Sequence, residues 1–216
     1  MRRSTTLSFA CAVVALLGGC ASARGSGGAG VDFVPGQAGA IERARADSLR
    51  YPYTQADIDF MSGMIHHHAQ AIVMSNLAPT RDASPELLRL TARIINAQTD
   101  EINLMQGWLR DREQTVPTPN AAGMPMSHGE GTHTMLMPGM LSEDQMRQLE
   151  AARGVEFDRL FLALMIQHHR GAVSMVQTLL ASHGAAQNEV IYKFAADVQV
   201  DQTTEISRMM QMLLER

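Results

Sequence analysis

The chain has two cysteines, Cys11 and Cys20, and both fall within the first twenty of its 216 residues. Everything beyond is free of thiols, so no disulfide can brace that part and no thiolate can hold a metal there. Aromatic residues are scarce at 5%, and Lys193 is the single lysine. Basic residues do not outnumber acidic ones, and the net charge of −4 argues against a nucleic-acid partner. Strand-like alternation is missing from every window, so no sheet is expected. The zinc-protease pattern His-Glu-x-x-His and the haem-attachment pattern Cys-x-x-Cys-His are absent too, which leaves no recognisable catalytic motif. Methionine, in contrast, is abundant, with 16 residues in a chain that is 45% hydrophobic and 19% charged. A proper core is affordable, and its apolar mass is flexible and sulfur-rich.

The first residues read as a targeting segment. Arg2 and Arg3 form a positive start, and the apolar run from Leu7 to Leu17 is too short to span a bilayer comfortably. The run ends in Leu17-Gly18-Gly19-Cys20, which resembles the lipobox of bacterial lipoproteins. That resemblance implies cleavage before Cys20, lipidation of its thiol, and an exported chain anchored to the bacterial cell envelope. An ordinary secretory signal or an uncleaved anchor is the alternative. Loss of Arg2 and Arg3 takes the mature charge from −4 to −6. Residues 20–39 are rich in Gly, Ser and Ala, as in a flexible tether, so the domain is expected over 40–216.

An internal repeat dominates the remainder of the chain. Met64-Ile65-His66-His67-His68-Ala69-Gln70-Ala71-Ile72-Val73-Met74 returns as Met165-Ile166-Gln167-His168-His169-Arg170-Gly171-Ala172-Val173-Ser174-Met175, at an offset of 101 that also pairs Asp57 with Asp158. A second block, Gln98-Thr99-Asp100-Glu101-Ile102, returns as Gln202-Thr203-Thr204-Glu205-Ile206 at an offset of 104. The change of offset places three extra residues in the second copy's connection. Each copy holds two helix-length segments. The first hairpin spans 54–112, opening at Thr54 with Asp57 as an acidic capping partner, broken at Pro79, and resuming after Ser84-Pro85-Glu86. The second spans 142–216: Ser142 caps a short helix interrupted near Gly154, and long helices follow to about Ser182 and from about Ala186 to Leu214. Between them, 113–141 is a linker rich in Pro and Gly. Two amphipathic hairpins predict an all-α, four-helix bundle.

On a helix the mostly apolar stripe of Asp57, Met61, Met64, His68, Ala71 and Ile72 turns His68 inward, and the equivalent stripe turns His169 inward. His67 and His168 then sit on the flanks with Met74 and Met175. Met64 lies four residues before His68, and Met165 four before His169, so a thioether and an imidazole can reach one ion. Met74 is two turns beyond His67, roughly 10 Å along the axis, and belongs to a second ion or a neighbouring chain unless both side chains lean together. Thioether with imidazole selects Cu(I), then Ag(I), with Cu(II) at the histidines. The candidate ligands are Met64, His67, His68, Met74, Met165, His168, His169 and Met175. Asp57 and Asp158 are too far along their helices to join them and read as capping or orienting groups. In the linker, Met124, Met126, His128, His133, Met135, Met137 and Met140 have no core to fill and, with Met61, form an accessory set that could collect cuprous ions. Met105, Met146, Met209, Met210 and Met212 read as core filler. Histidines that are merely hydrogen-bonded in a core explain the same pattern without a metal.

The run Asp57-x2-Phe60-Met61-x2-Met64-Ile65-x-His67-His68-x2-Ala71-Ile72-x-Met74, followed by Gln98-x2-Glu101-Ile102-x2-Met105-x2-Trp108-Leu109, resembles the bacterial domain-of-unknown-function 305 family, and the second copy matches again from Phe157 to Met175 and from Gln202 to Leu213. The resemblance covers Tyr53 to Leu214 and implies a ferritin-like bundle, an exported location and, in some members, copper binding through these His and Met residues. Gln167 departs from the pattern at one of three histidines, and Met212 stands where Trp108 does. The expected function is copper sequestration or resistance, with a metal ion and a membrane as partners and a homo-oligomer left open. A metal-free interaction or envelope-stress module is the alternative. A di-iron oxidase is disfavoured, because the one Glu-x-x-His spacing, Glu130 to His133, lies in the linker.

Overall fold

A computed structural model describes residues 36–50, 52–128 and 131–215; Cys20, the lipobox-like segment and the tether up to residue 35 lie outside them. Within them are six α-helices: α1 (Gly36–Arg50), α2 (Gln55–Leu77), α3 (Pro85–Asp111), α4 (Glu143–Ala151), α5 (Gly154–Ala181) and α6 (Glu189–Leu214). The first of these corrects the tether, whose last residues, 36–39, are helical. Its Ala44 is buried and Arg45 pairs with Glu113 beyond the end of α3, so α1 packs against the first hairpin.

Local chemistry sets the long helices. At the head of α2 the Thr54 N–H donates to Asp57 Oδ2 at 2.6 Å, the acidic form of a capping box, and a 3-10 turn over Ala78–Thr80 ends the helix at Pro79. Ser84 Oγ accepts from Leu87 N–H with Pro85 at the first helical position of α3. That helix closes with a Schellman pair, Gln114 N–H to Leu109 O and Glu113 N–H to Arg110 O, which forces Glu113 to φ 57°. Ser142 and Gln145 form a reciprocal box on α4. The last helix starts at Glu189 rather than near Ala186, because Ala186 is left-handed at φ 55° and Asn188 is the residue that caps it, accepting from Val190 N–H. The three residues of the offset change lie in α5, which continues to Ala181 where the counterpart of Leu77 is Thr178; the connections 78–84 and 182–188 are thus equally long.

The hairpins α2–α3 and α5–α6 meet through α2 and α5, completing a ferritin-like four-helix bundle. His67 lies opposite His168 and Gly63 opposite Met175, so the two central helices run antiparallel about a pseudo-twofold axis. The duplicated aspartates bind across that axis. Asp57 Oδ1 accepts from Ala186 N–H in the second connection at 2.7 Å, and Asp158 accepts from Ser84 N–H in the first.

The linker differs most from expectation. It contains an antiparallel hairpin, β1 (Met124–His128) with β2 (Gly131–Met135), whose short strands lack a polar–apolar alternation to reveal them. Residues 137–141 then cross the bundle as a strap. Gln70 holds its end, donating to Leu141 O and accepting from Leu141 N–H, and also donates to Ala121 O. The equivalent residue on α5 is Gly171, where a Cβ would stand 1.9 Å from Pro138 O. Because the strap covers a side that a plain bundle leaves open, α2 is buried nearly all round rather than along one stripe.

Candidate metal centre

The apolar core is in two pieces. One contains Met64, Met105, Trp108, Met175, Val176 and Phe194; the other contains Met74, Leu90, Ile94, Phe161, Met165 and Met209. In each long helix the residue that separates the two pieces is polar and buried: His66 to His68 in α2, Gln98 in α3, His168 and His169 in α5, and Gln202 in α6. A polar layer therefore crosses the middle of the bundle.

At its centre the rings of His67 and His168 face one another, centroids 3.8 Å apart. The flank positions expected for this pair are corrected: with the strap above and α2 against α5 below, these rings lie on the pseudo-twofold axis and are fully buried. His67 Nε2 donates to Pro138 O of the strap at 3.1 Å, since a carbonyl can only accept. On either side, His68 Nε2 donates to Glu101 Oε2 at 2.5 Å and His169 Nε2 to Glu205 Oε2 at 2.7 Å. In neutral rings these bonds leave Nδ1 as a bare acceptor. The Nδ1 atoms of His67, His68 and His169, and both nitrogens of His168, have no hydrogen-bond partner among the described residues. Burial first, then the neighbouring imidazoles, pushes His67 down to about 3 and His168 well below its ordinary range. Both rings are thus neutral at physiological pH, the state in which a histidine offers a lone pair to a metal.

Thioethers lie above and below this layer. Met64 and Met165 are fully buried one helical turn before His68 and His169. Met175 shares its cluster with Met64, and Met74 shares its cluster with Met165, so each outer methionine of one hairpin lies in the apolar cluster of the other hairpin's inner methionine. Of the accessory residues, Met61, Met137 and Met140 are core, which corrects the view that the linker methionines have nothing to pack against; Met137 Sδ would meet a Cβ at Gly63, and Met140 Sδ accepts from Met137 N–H. Met124 is half-buried against the core, Met126 pairs with His133 on the hairpin, His128 pairs with Gly131, and Met135 is exposed. Met105, Met209 and Met212 do fill the core and Met146 packs partly against it, but Met210 is 46% exposed. His66 is buried, and its counterpart Gln167 holds the strap by donating to Gly139 O.

Glu101 and Glu205, with Gln98 and Gln202, were not among the sequence candidates. Their signal was the second repeat block, in which glutamine and glutamate keep their three-residue spacing while Asp100 gives way to Thr204. Among the described residues no three His, Cys, Asp or Glu side chains already surround one point.

Comparison with known proteins agrees with this architecture. The family model for the domain of unknown function DUF305 matches residues 57–213. A DUF305 protein from Streptomyces coelicolor is 29% identical, with a TM-score of 0.62, over 74% of this chain and 93% of that one. A DUF305 fragment from Deinococcus radiodurans is 26% identical with the same TM-score, covering 76% and 99%. CopM in its Cu(I)-bound form is 27% identical with a TM-score of 0.55, covering 74% and 96%. CopM is also known in Cu(II)-bound and silver-bound forms. Uncharacterized protein L153 of Acanthamoeba polyphaga mimivirus is 41% identical over 63 residues, a match to 41% of that protein's length. A matched span that takes in both hairpins, with solved relatives of the same fold, makes this chain a member of the DUF305 family.

Proposed function

We propose that the chain is an exported lipoprotein that binds copper, Cu(I) above all, in its central polar layer and serves copper sequestration or resistance. The observation that carries this reading is the set of buried imidazoles whose Nδ1 atoms lack partners, with the fully buried Met64 and Met165 one helical turn from His68 and His169. A buried acceptor with nothing to accept costs free energy, about 1–3 kcal/mol each. A soft cation would satisfy several at once, and imidazole with thioether is the donor set that selects Cu(I). His68 and His169 carry the outer carboxylate that commonly orients a metal-binding histidine, here from Glu101 and Glu205. The CopM forms with copper and silver support the same choice of ions. Export and lipidation rest on the lipobox-like Leu17-Gly18-Gly19-Cys20, and the secreted designation of the Streptomyces relative fits export.

The test is an anaerobic Cu(I) titration of the full chain beside a variant with His67, His68, His168 and His169 changed to glutamine, its helicity checked by circular dichroism. Tight binding lost in a folded variant supports the reading. Equal binding by both moves the chemistry to methionines of the strap and hairpin, and no binding by either leaves a metal-free interaction module.

A further inference from the structure

The outer face of α6 differs from the same face of α3, its counterpart in the duplication. Val200, Ser207 and Leu214 repeat every seven residues, as do Ala196, Thr203 and Met210, and all six are exposed. With Tyr192 one turn earlier they occupy an arc of about 80° that carries no charge over roughly 33 Å. Tyr192, Val200, Met210 and Leu214 are 60%, 64%, 46% and 88% exposed, so this is more than scattered surface apolarity. The hydroxyls of Thr203 and Ser207 donate to Gln199 O and Thr203 O of their own helix, and neither needs an outside partner. On α3 the matching positions, at the offset of 104, carry Asn96 for Val200, Asn103 for Ser207, Gln106 for Met210 and Arg110 for Leu214. One copy has a face suited to water. The other has an unpartnered seam with the period of paired helices.

The charges beside this seam gather on one flank. In chain order they are Lys193, Asp197, Arg208 and Glu215, alternating in sign, and the first three make no ion pair among the described residues. The other flank, with Gln199, Ile206 and Leu213, is uncharged. Alternating signs do not suit an anionic membrane, which selects a basic flank. They suit the same helix reversed. A twofold axis at Thr203 sets Asp197 of each copy beside Arg208 of the other, and Lys193 beside Glu215. The same axis sets Met210 over Ala196, large against small, and Leu214 over Tyr192. A parallel pair would instead place the charged flank against the uncharged one.

We propose that the outer face of α6 is the interface of an antiparallel twofold dimer, with a second copy of this chain as the partner and Thr203 on the axis. Apolar burial along the seam drives association. The four ion pairs select the orientation, since exposed pairs add little strength. One helix face is smaller than the roughly 800 Å² per partner of a standard interface, so the dimer is reversible. Nothing in it involves copper, and this proposal and the copper reading fail independently.

Disulfide trapping tests it, with full chains carrying Cys11→Ser and Cys20→Ser and with oxidised glutathione as the oxidant. Thr203→Cys lies against itself across the axis and gives a covalent dimer, while Thr99→Cys, its match on α3, does not. Tyr192→Cys and Leu214→Cys are each trapped only when the two variants are mixed. Val200→Glu, added to Thr203→Cys, sets like charges in the seam and cuts the yield at least about tenfold. Every substituted side chain is exposed, and circular dichroism checks that helicity is unchanged. Equal trapping of Thr203→Cys and Thr99→Cys, or an undiminished yield with Val200→Glu, overturns the interface. Trapping of Leu214→Cys by itself overturns the antiparallel orientation.

Discussion

Asp57 and Ala186, 129 residues apart, are joined by a buried hydrogen bond of 2.7 Å from the backbone N–H to the carboxylate. The same carboxylate accepts from the Thr54 N–H and hydroxyl, so one side chain starts α2 and pins the far hairpin's connection. Asp57→Ala strands the Ala186 N–H and is expected to destabilise the fold by about 3 kcal/mol, with a comparable loss for Asp158→Ala. Urea melts measure both; a loss below about 0.5 kcal/mol in either would remove the claim that these residues tie the hairpins together.

The metal-free protein is expected to weaken in mild acid. His67 and His168 are held neutral in the folded chain, while unfolded imidazoles accept protons near pH 6.5. Below that pH the unfolded state binds protons that the folded state refuses, so stability falls as pH drops below 6.5, by up to about 1.4 kcal/mol per pH unit for each ring, and for His67 down to about 3. Unfolding free energies at pH 7, 6 and 5 give the slope, and His168→Gln is expected to reduce it by about half. A flat profile would mean that the rings are protonated in the native state.

Two glycines provide a matched steric test. At Gly171 a methyl group would collide with the strap's backbone, whereas at Gly107, four residues before the C-terminal end of α3, nothing lies within 4 Å of it. Gly171→Ala is expected to cost more than about 2 kcal/mol and Gly107→Ala to stabilise by about 0.5–1 kcal/mol. Equal effects would show that the strap does not lie against α5.

If copper sits on the imidazoles, Glu101→Ala acts at one remove. It removes the group that fixes the tautomer and orientation of His68, and the expected consequence is a roughly 10–100-fold loss of Cu(I) affinity without loss of helicity. Competition titration against a chromophoric Cu(I) chelator reads this directly. Unchanged affinity would detach His68 from the metal.

Much of the architecture was legible in the residues. Thr54, Ser84 and Ser142 mark helix starts, Pro79 marks a stop, and the repeat at offsets 101 and 104 requires two like hairpins, all of which the structure contains. The short β hairpin was hidden because its residues have neither alternation nor a conspicuous turn pair, and α1 because Gly36 to Ala40 has the composition of a tether. The site was half legible. His67 and His168 were found as candidates, but a stripe drawn for one helix against one core assigns them to a flank. Only the crossing of two such helices beneath a third segment brings them together. Glu101 and Glu205 needed the partner helices in place before their spacing acquired meaning.

A single strand laid over a twofold axis cannot treat both sides alike. Here Gln70 grips the strap while its twin, Gly171, vacates space beneath it, and His67 has a carbonyl partner that His168 lacks. The two halves have consequently become complementary specialists, a clasp and a seat. A chain rebuilt from two first copies would have two clasps and no seat, and one rebuilt from two second copies would leave the strap unfastened, so the ancestral symmetry of this fold cannot be restored by copying either half.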